Sequence, residues 1–181
     1  TASLENMQGM FYNCVSLTGL DLSGFDTSLV TNMSLVFSKC YSLTGLNLSA
    51  FNTSSTTDMR QMFYLCQDLT GLDVSSFETS LVEDMAYMFY NCNSLTDIIG
   101  VDDFNIESIV NASNLQGFCA YVNLPTARYD SLLINWEAQD VANGIFVDFG
   151  SSQYTSGSLA DSARTSLTDN YLWTINDGGS V

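Results

Sequence analysis

The segment SLTGLDLSGFDTSLVTNM (residues 16–33) recurs, almost unchanged, as SLTGLNLSAFNTSSTTDM (residues 42–59). Cysteine, methionine and phenylalanine recur at the same interval, in these columns: Cys14, Cys40, Cys66 and Cys92; Met7, Met33, Met59 and Met85; Phe11, Phe37, Phe63 and Phe89. Self-similarity at a fixed period of this length is typical of proteins built from stacked copies of one unit. The sequence therefore predicts a chain of 26-residue repeats.

Each repeat carries two different hydrophobic periods. Its first part alternates apolar and polar residues, as in LTGLDLS at residues 17–23, which predicts a short strand. Its second part spaces apolar residues by three, four and three, which predicts one face of a helix: Val30, Met33, Phe37 and Cys40. Thr31 is a candidate N-cap for that helix. A strand and helix of this size cannot bury their apolar faces alone, so the repeats are expected to stack.

Stacking of such units predicts the fold class. Strands in a ladder lie about 4.8 Å apart, whereas packed helices need roughly 8–10 Å, so the strand side becomes concave. We expect an α/β leucine-rich-repeat solenoid with a concave parallel β-sheet and convex short helices, closed by irregular C-terminal coils. Residues 1–119 would form the repeats and residues 120–181 the cap. Cys119 follows Cys92 one position later than the repeat requires, which predicts a single inserted residue near GVDDF (residues 100–104).

The tail continues to alternate strand-like and helix-like segments. Residues 129–139 and 158–167 have helical patterns, whereas residues 144–149 and 171–177 read as strands. Val122 and Leu124 predict a further weak strand. Pro125 is expected at a helix start, where its missing N–H costs little.

The repeat motif resembles a known family. SLTGLDLSGFDTSLVTNM together with MFYNC (residues 10–14) is similar to the BspA-like leucine-rich-repeat surface proteins, and the resemblance covers residues 4–119. It implies extracellular display on a cell or virion surface, adhesion or protein binding, and no catalytic residues. Gly100 and Ala112 depart from the pattern, where other repeats have an apolar residue and a methionine.

Composition argues against several functions. Four Lys and Arg against 20 Asp and Glu give a net charge of −16, which repels phosphate, so nucleic acid is not an expected partner. No apolar run approaches the length of about 18 residues that a membrane span needs, so membrane insertion is not expected. The chain has no histidine, which removes the commonest general base and a common metal ligand. We expect no catalytic residues, no metal, no cofactor and no enzymatic activity.

Cysteines and acidic pairs leave alternatives open. The cysteine column is read as a ladder of five free, buried thiols, with disulfides between adjacent repeats as the alternative. Asp102 and Asp103 are read as solvated carboxylates, with Ca²⁺ binding as the alternative, although the alternating Asp spacing of a calcium loop is absent. Four N-glycosylation sequons start at Asn32, Asn47, Asn52 and Asn111.

Candidate contact residues lie on the expected concave face, because repeat arrays generally bind there. They form three small, polar ladders: Gly19, Gly45 and Gly71; Asp21, Asn47 and Asp73; Ser23, Ser49 and Ser75. Three tyrosines that directly follow the phenylalanine column are candidate exposed aromatics: Tyr12, Tyr64 and Tyr90.

These features favour a non-enzymatic, surface-displayed module for adhesion, protein–protein interaction or structural display. The alternative is a glycan- or ice-binding array that uses Ser, Thr and Asp ladders, including Thr18, Thr44, Thr70 and Thr96. The expected partner is a protein or glycan on a cell surface. The sequence opens inside a repeat, so its N-terminal face is expected to continue into further repeats or to dock on a partner chain.

Overall fold

Regular secondary structure is sparse in the repeats and concentrated in the tail of the computed structural model, which describes residues 4–181. The described residues form two parallel, two-stranded sheets: β1 (Leu72–Asp73) with β2 (Ile98–Ile99), and β3 (Phe146–Asp148) with β4 (Thr174–Asn176). The helices are a 3-10 turn (Val101–Asp103), α1 (Thr126–Glu137) and α2 (Leu159–Asp169). Neither α1 nor α2 is long or apolar enough to cross a membrane.

The predicted leucine-rich-repeat solenoid with a concave parallel β-sheet and convex short helices is wrong. Between residues 4 and 119 the structure contains the two-residue strands β1 and β2 and the 3-10 turn, and no α-helix. Both α-helices lie in the tail. The architecture is therefore a mixed α/β one with two separate small sheets.

The predicted helix between residues 30 and 40 is replaced by turns. Leu35 and Lys39 have φ angles of 62° and 63°, a left-handed conformation that a right-handed helix cannot contain. Backbone amides there alternate between two kinds of partner. Ser38 N–H donates to Leu35 within the repeat (3.1 Å), whereas Phe37 N–H donates to Met62 in the next one (2.9 Å). The three-four-three spacing therefore reflects successive turns.

Consecutive repeats are joined by side chains as well as by backbone bonds. Three buried threonines, one per repeat, act alike: Thr27, Thr53 and Thr79. The Thr53 hydroxyl donates to the Glu78 carbonyl (2.9 Å) and accepts from the Glu78 N–H (2.8 Å). Thr31, predicted to cap a helix, instead donates its N–H to Glu5 of the preceding repeat (3.0 Å). Hydroxyls thus supply pairing that strands would otherwise provide.

The core runs without a break from the repeats into the tail. Its centre is a row of nearly parallel phenylalanine rings, with centroids 5.5–5.6 Å apart: Phe11, Phe37, Phe63 and Phe89. Phe118 meets Phe89 edge-on at 5.4 Å and contacts Trp136 of α1 at 5.7 Å. The repeats and the tail therefore share one hydrophobic core.

The hydrogen-bond register shows that the fifth repeat is longer than predicted. Phe63 N–H donates to the Met88 carbonyl, and one repeat later Phe89 N–H donates to the Phe118 carbonyl. The second pairing spans four more residues than the first, so four extra residues are accommodated between them. One of the four lies where it was predicted, near residues 100–104, because the Thr79 hydroxyl pairs with Asn105, 26 residues on, whereas the Thr53 hydroxyl pairs with Glu78, 25 residues on. The other three enter between Asn105 and Phe118 and were not predicted.

The same hydrogen-bond register shows that Cys119 does not belong to the cysteine column. Val122 N–H donates to Cys119 as Cys92 N–H donates to Phe89, so Val122 takes the place that continues the cysteine column. All five cysteines are free, and four are buried, but Cys14 is exposed, so the predicted burial is wrong for Cys14. The column thiols donate to carbonyls of the preceding repeat at 3.0–3.2 Å: Cys40 to Phe11, Cys66 to Phe37 and Cys92 to Phe63.

The tail helices and strands confirm most of their sequence predictions. Pro125 immediately precedes α1, and α2, β3 and β4 lie largely within the predicted segments. The predicted strand at residues 122–124 is absent. Asp177, which follows β4, accepts from Arg164 of α2 and Tyr129 of α1, each at 2.7 Å. This carboxylate fixes the two helices against the end of the sheet.

Candidate functional site

Four tyrosines form a cluster where the fourth repeat meets the fifth. This tyrosine cluster consists of Tyr64, Tyr87, Tyr90 and Tyr121. Tyr90 is its centre: it stacks on Tyr64 at 5.2 Å and meets Tyr87 and Tyr121 edge-on at 5.6 and 5.3 Å. Aromatic rings prefer such offset and edge-to-face arrangements. The cluster is therefore a mutually supported aromatic surface.

Backbone conformation places two of these rings. Tyr87 and Tyr121 have φ angles of 59° and 69°, which are uncommon for bulky residues and persist only where the surrounding structure holds them. Gly117 is the residue that allows the rings to close together. A Cβ atom at Gly117 would lie 2.5 Å from Tyr87 Cδ1 and 3.3 Å from Tyr90 Cδ2. Any larger residue would displace the Tyr87 ring.

Three tyrosines of the cluster, Tyr87, Tyr90 and Tyr121, form one wall of an open cleft of about 590 Å³, here called the tyrosine cleft. β3 and β4 supply its other wall, through Phe146, Asp148 and Asn176. Asp148 accepts from Gly150 N–H and from Asn176 Nδ2, both at 2.8 Å, so its carboxylate is held in place. The cleft thus combines aromatic rings with fixed polar groups, as ligand sites commonly do.

A second cleft of about 610 Å³, here called the polar cleft, adjoins the first. The two share Tyr121 and Ser151. Side-chain amides and hydroxyls dominate the lining of the polar cleft: Asn93, Ser94, Thr96, Asn123, Thr126, Ser151 and Gln153. Tyr121 is 64% exposed, so its ring is accessible where the two clefts meet.

The electrostatics of the clefts are simple. Among the described residues that line the two clefts, Asp148 alone has an acidic or basic side chain. A hydrogen bond with Tyr121 raises the pKa of Tyr90. The clefts can therefore offer hydrogen bonds and aromatic faces, and they lie on a chain of net charge −16.

The predicted ladder residues form a polar surface that bonds to itself. All are exposed or half-buried. The serine hydroxyls donate to the side chain two residues earlier, Ser23 to Asp21, Ser49 to Asn47 and Ser75 to Asp73, at 2.6–2.8 Å. These bonds lower the pKa of Asp21 and Asp73. Gly19, Gly45 and Gly71 add no side chain, and the hydroxyls of Thr44, Thr70 and Thr96 donate to the threonine carbonyl one repeat earlier.

The three tyrosines predicted as exposed aromatics lie in different environments. Tyr64 and Tyr90 are half-buried and lie together in the cluster. Tyr12 is 45% exposed and lies apart from them, beneath the Lys39 ammonium at 5.3 Å. The row is interrupted because the second repeat has Ser38 at the equivalent position, and Ser38 is buried.

Sequence reasoning missed Tyr87 and Tyr121. Equivalent positions in the earlier repeats hold unrelated residues, such as Leu35 and Lys39, so no column marked them. The available signal was the local density of tyrosine around residues 87–90, next to a degenerate repeat.

The acidic pair considered for Ca²⁺ has a different partner. Asp102 accepts from Arg128 of α1 at 2.6 Å, and Arg128 also contacts Asp97 at 3.2 Å. Within residues 4–181, no three potential metal-ligating side chains of His, Cys, Asp or Glu are grouped closely enough to hold an ion. This ion pair instead joins the tail to the repeats.

A protein-family model matches residues 5–129, which is more than half of the chain. The chain belongs to this family. Its description is "Mycoplasma protein of unknown function, DUF285". No curated protein matches the chain. A search of solved structures likewise gave no match.

The family segment contains only part of the site. All four tyrosines of the cluster lie within residues 5–129, whereas Phe146, Asp148 and Asn176 lie beyond it. The tyrosine cleft is therefore completed by the tail that follows the DUF285 match.

Proposed function

We propose that this DUF285 chain is a non-enzymatic binding module for adhesion, displayed on a cell or virion surface. The observation that carries the proposal is the tyrosine cluster, whose rings pack against one another along one wall of an open cleft. Tyrosine is enriched at binding hot spots because its ring offers a large apolar area and its hydroxyl a hydrogen bond. The resemblance of the repeats to BspA-like surface proteins supports the same reading.

The ladder alternative has less support. Ser and Thr hydroxyls on the ladders already donate to neighbouring groups of the same chain. A ligand there would have to compete for these donors, whereas the Gln116 side-chain amide in the tyrosine cleft bonds to no other described residue. The cleft is therefore the better contact surface.

Cell binding tests the proposal. Fluorescently labelled chain is applied to a panel of cultured cells, and binding is measured by flow cytometry. We expect saturable binding that falls at least several-fold in the Tyr87→Ala/Tyr121→Ala double variant. Tyr12→Ala is the matched control, because Tyr12 is an exposed tyrosine outside the cluster.

Two results would contradict the proposal. Equal binding by the wild type and the double variant, with both folded by thermal melt, would remove the cleft from the contact surface. Absence of saturable binding across the panel would contradict adhesion itself.

A further inference from the structure

The tyrosine cleft and the polar cleft adjoin each other, because Tyr121 and Ser151 line both. Each has a volume, about 590 and 610 Å³, within the usual range for small-molecule sites, which is about 300–1,000 Å³. A ligand that occupies both clefts would have to be elongated and would have to span the shared residues Tyr121 and Ser151.

We infer that the two clefts form one groove for a neutral glycan chain, with a sugar ring stacked on the tyrosine cluster and further sugars in the polar cleft. This inference rests on the proposed function, since it names the ligand class of the same surface.

Aromatic faces and hydroxyls account for the first half of the groove. A sugar ring has one apolar face of C–H groups and an edge of hydroxyls, so it fits a surface that pairs a ring with polar atoms. Tyr87, Tyr90 and Tyr121 provide the rings. Gln116 and Asn176 provide amides beside them, and the Gln116 amide is unbonded to other described residues.

Side-chain amides account for the second half. An amide carries both donors and an acceptor, which matches a hydroxyl that can do either. Asn93 and Asn123 line the polar cleft, and neither side chain bonds to another described residue. A protein hot spot would instead need an apolar pocket for an anchoring side chain, whereas amides and hydroxyls dominate this lining.

Charge selects neutral sugars. Neither cleft lining contains Lys or Arg, and Asp148 adds a negative charge to the tyrosine cleft. The chain as a whole carries −16. Sialylated and sulfated glycans would therefore be repelled during approach and would find no cationic partner.

Oligosaccharide titration tests the inference directly. Cello-, chito-, malto- and manno-oligosaccharides, from monosaccharide to hexasaccharide, are titrated into the chain by calorimetry, beside sialylated and sulfated counterparts. We expect at least one neutral series to bind, with affinity that rises with length until both clefts are filled. No binding in any neutral series, tighter binding of the anionic sugars, or affinity independent of length would overturn the inference.

Single substitutions test how much each cleft contributes to sugar binding. Tyr87→Ala should weaken binding by about tenfold at every length, because it removes a stacking ring. Gly117→Ala should do the same without removing an aromatic, because the new methyl displaces the Tyr87 ring. Asn123→Ala should weaken only the longer sugars, and Tyr12→Ala should change nothing. Equal losses for Asn123→Ala and Tyr12→Ala would contradict the two-part groove.

Cell treatments separate this inference from the proposed function. Periodate cleaves vicinal diols of surface sugars, whereas protease removes surface proteins. Loss of cell binding after periodate supports the glycan inference. Cell binding that survives periodate, disappears after protease and still requires Tyr87 and Tyr121 leaves the adhesion function standing and overturns the glycan ligand.

Discussion

At the scale of single residues, the cysteines illustrate how one column can hold different environments. Burial is the main reason why the pKa of the Cys40 thiol is raised to about 11 and that of Cys92 to about 12. The pKa values of Cys66 and Cys119 are raised for the same reason. A buried, protonated thiol reacts slowly. Cys14, in contrast, is exposed to reagents.

Thiol labelling therefore has a defined expected outcome. Iodoacetamide at neutral pH should modify Cys14 alone in the native chain and all five cysteines in denaturant, as read by mass spectrometry. In the Cys14→Ser variant the native chain should remain unmodified. Rapid native labelling of any of the other four would show that the column is accessible.

Asp84 gives a pH-dependent prediction. Its Oδ1 accepts from Ala86 N–H at 2.8 Å, and desolvation, which outweighs this bond, raises its pKa with a further contribution from the nearby Asp58 charge. A raised folded pKa means that the ionised form destabilises the fold above that pKa, and that the penalty vanishes below the unfolded value of about 3.9. Asn32 stands at the equivalent position two repeats earlier and makes the same bond.

Asp84→Asn should therefore raise the free energy of unfolding by about 0.5 kcal/mol at pH 7, the size of a partly exposed charge interaction. The gain should fade as the pH drops below about 4. Asp73→Asn is the control, and it should lower the free energy of unfolding at pH 7, because hydrogen bonds from Ser75 lower the pKa of Asp73. Denaturant melts at pH 7 and below about pH 4 measure the free energy of unfolding of each variant and the wild type. A gain for Asp84→Asn that persists at low pH would exclude the charge as its cause.

At the scale of elements, the buried threonines provide the pairing that a continuous strand ladder would provide. Thr53 Oγ1 pairs with both backbone groups of Glu78, and Thr53 is 1% exposed. Thr53→Val keeps the volume but leaves the Glu78 N–H and carbonyl without that partner. A typical intramolecular hydrogen bond contributes about 0.5–1.5 kcal/mol, so the loss of both bonds costs about 1–3 kcal/mol.

We expect Thr53→Val to lower the free energy of unfolding by that amount in urea melts. Thr70→Val is the matched control, because the Thr70 side chain is exposed and its bond to Thr44 is 3.4 Å long. That control should stay within about 0.5 kcal/mol. Similar losses at both positions would mean that the buried threonine pairing adds little.

At the scale of the whole molecule, continuity of the core predicts cooperative unfolding. Phe118 contacts Phe89 of the fourth repeat and Trp136 of α1, and Arg128 joins α1 to Asp97 and Asp102. Both tryptophans, Trp136 and Trp173, lie in the tail. Tryptophan fluorescence therefore reports on the tail, whereas exposure of buried thiols in a Cys14→Ser background reports largely on the repeats.

The two probes should give one urea midpoint, because a two-state transition makes different probes coincide. A lower midpoint for fluorescence than for thiol exposure would show that the tail unfolds first. Repeat arrays can lose cooperativity in this way when interfaces between units are weak.

The periodicity of the sequence predicts much of this structure. The 26-residue interval, the apolar columns at Met33, Phe37 and Cys40, and the elements of the tail all follow from residue spacing, because spacing decides which side chains face a common core. The helix predicted within each repeat did not follow. Spacings of three and four are shared by a helix and by chained turns, and only backbone conformation at Leu35 and Lys39 separates them.

The candidate site lay beyond the reach of the sequence for a related reason. Tyr64 and Tyr90 belong to a column and were predicted, whereas Tyr87 and Tyr121 occur in one repeat each and Asn176 lies far away in the tail. Tertiary structure brought them together through the longer fifth repeat and through Gly117, whose missing side chain lets the rings close. The repetition therefore determined from the sequence which side chains stack in the core, whereas the tyrosine cleft depends on the folded position of the irregular fifth repeat and the tail.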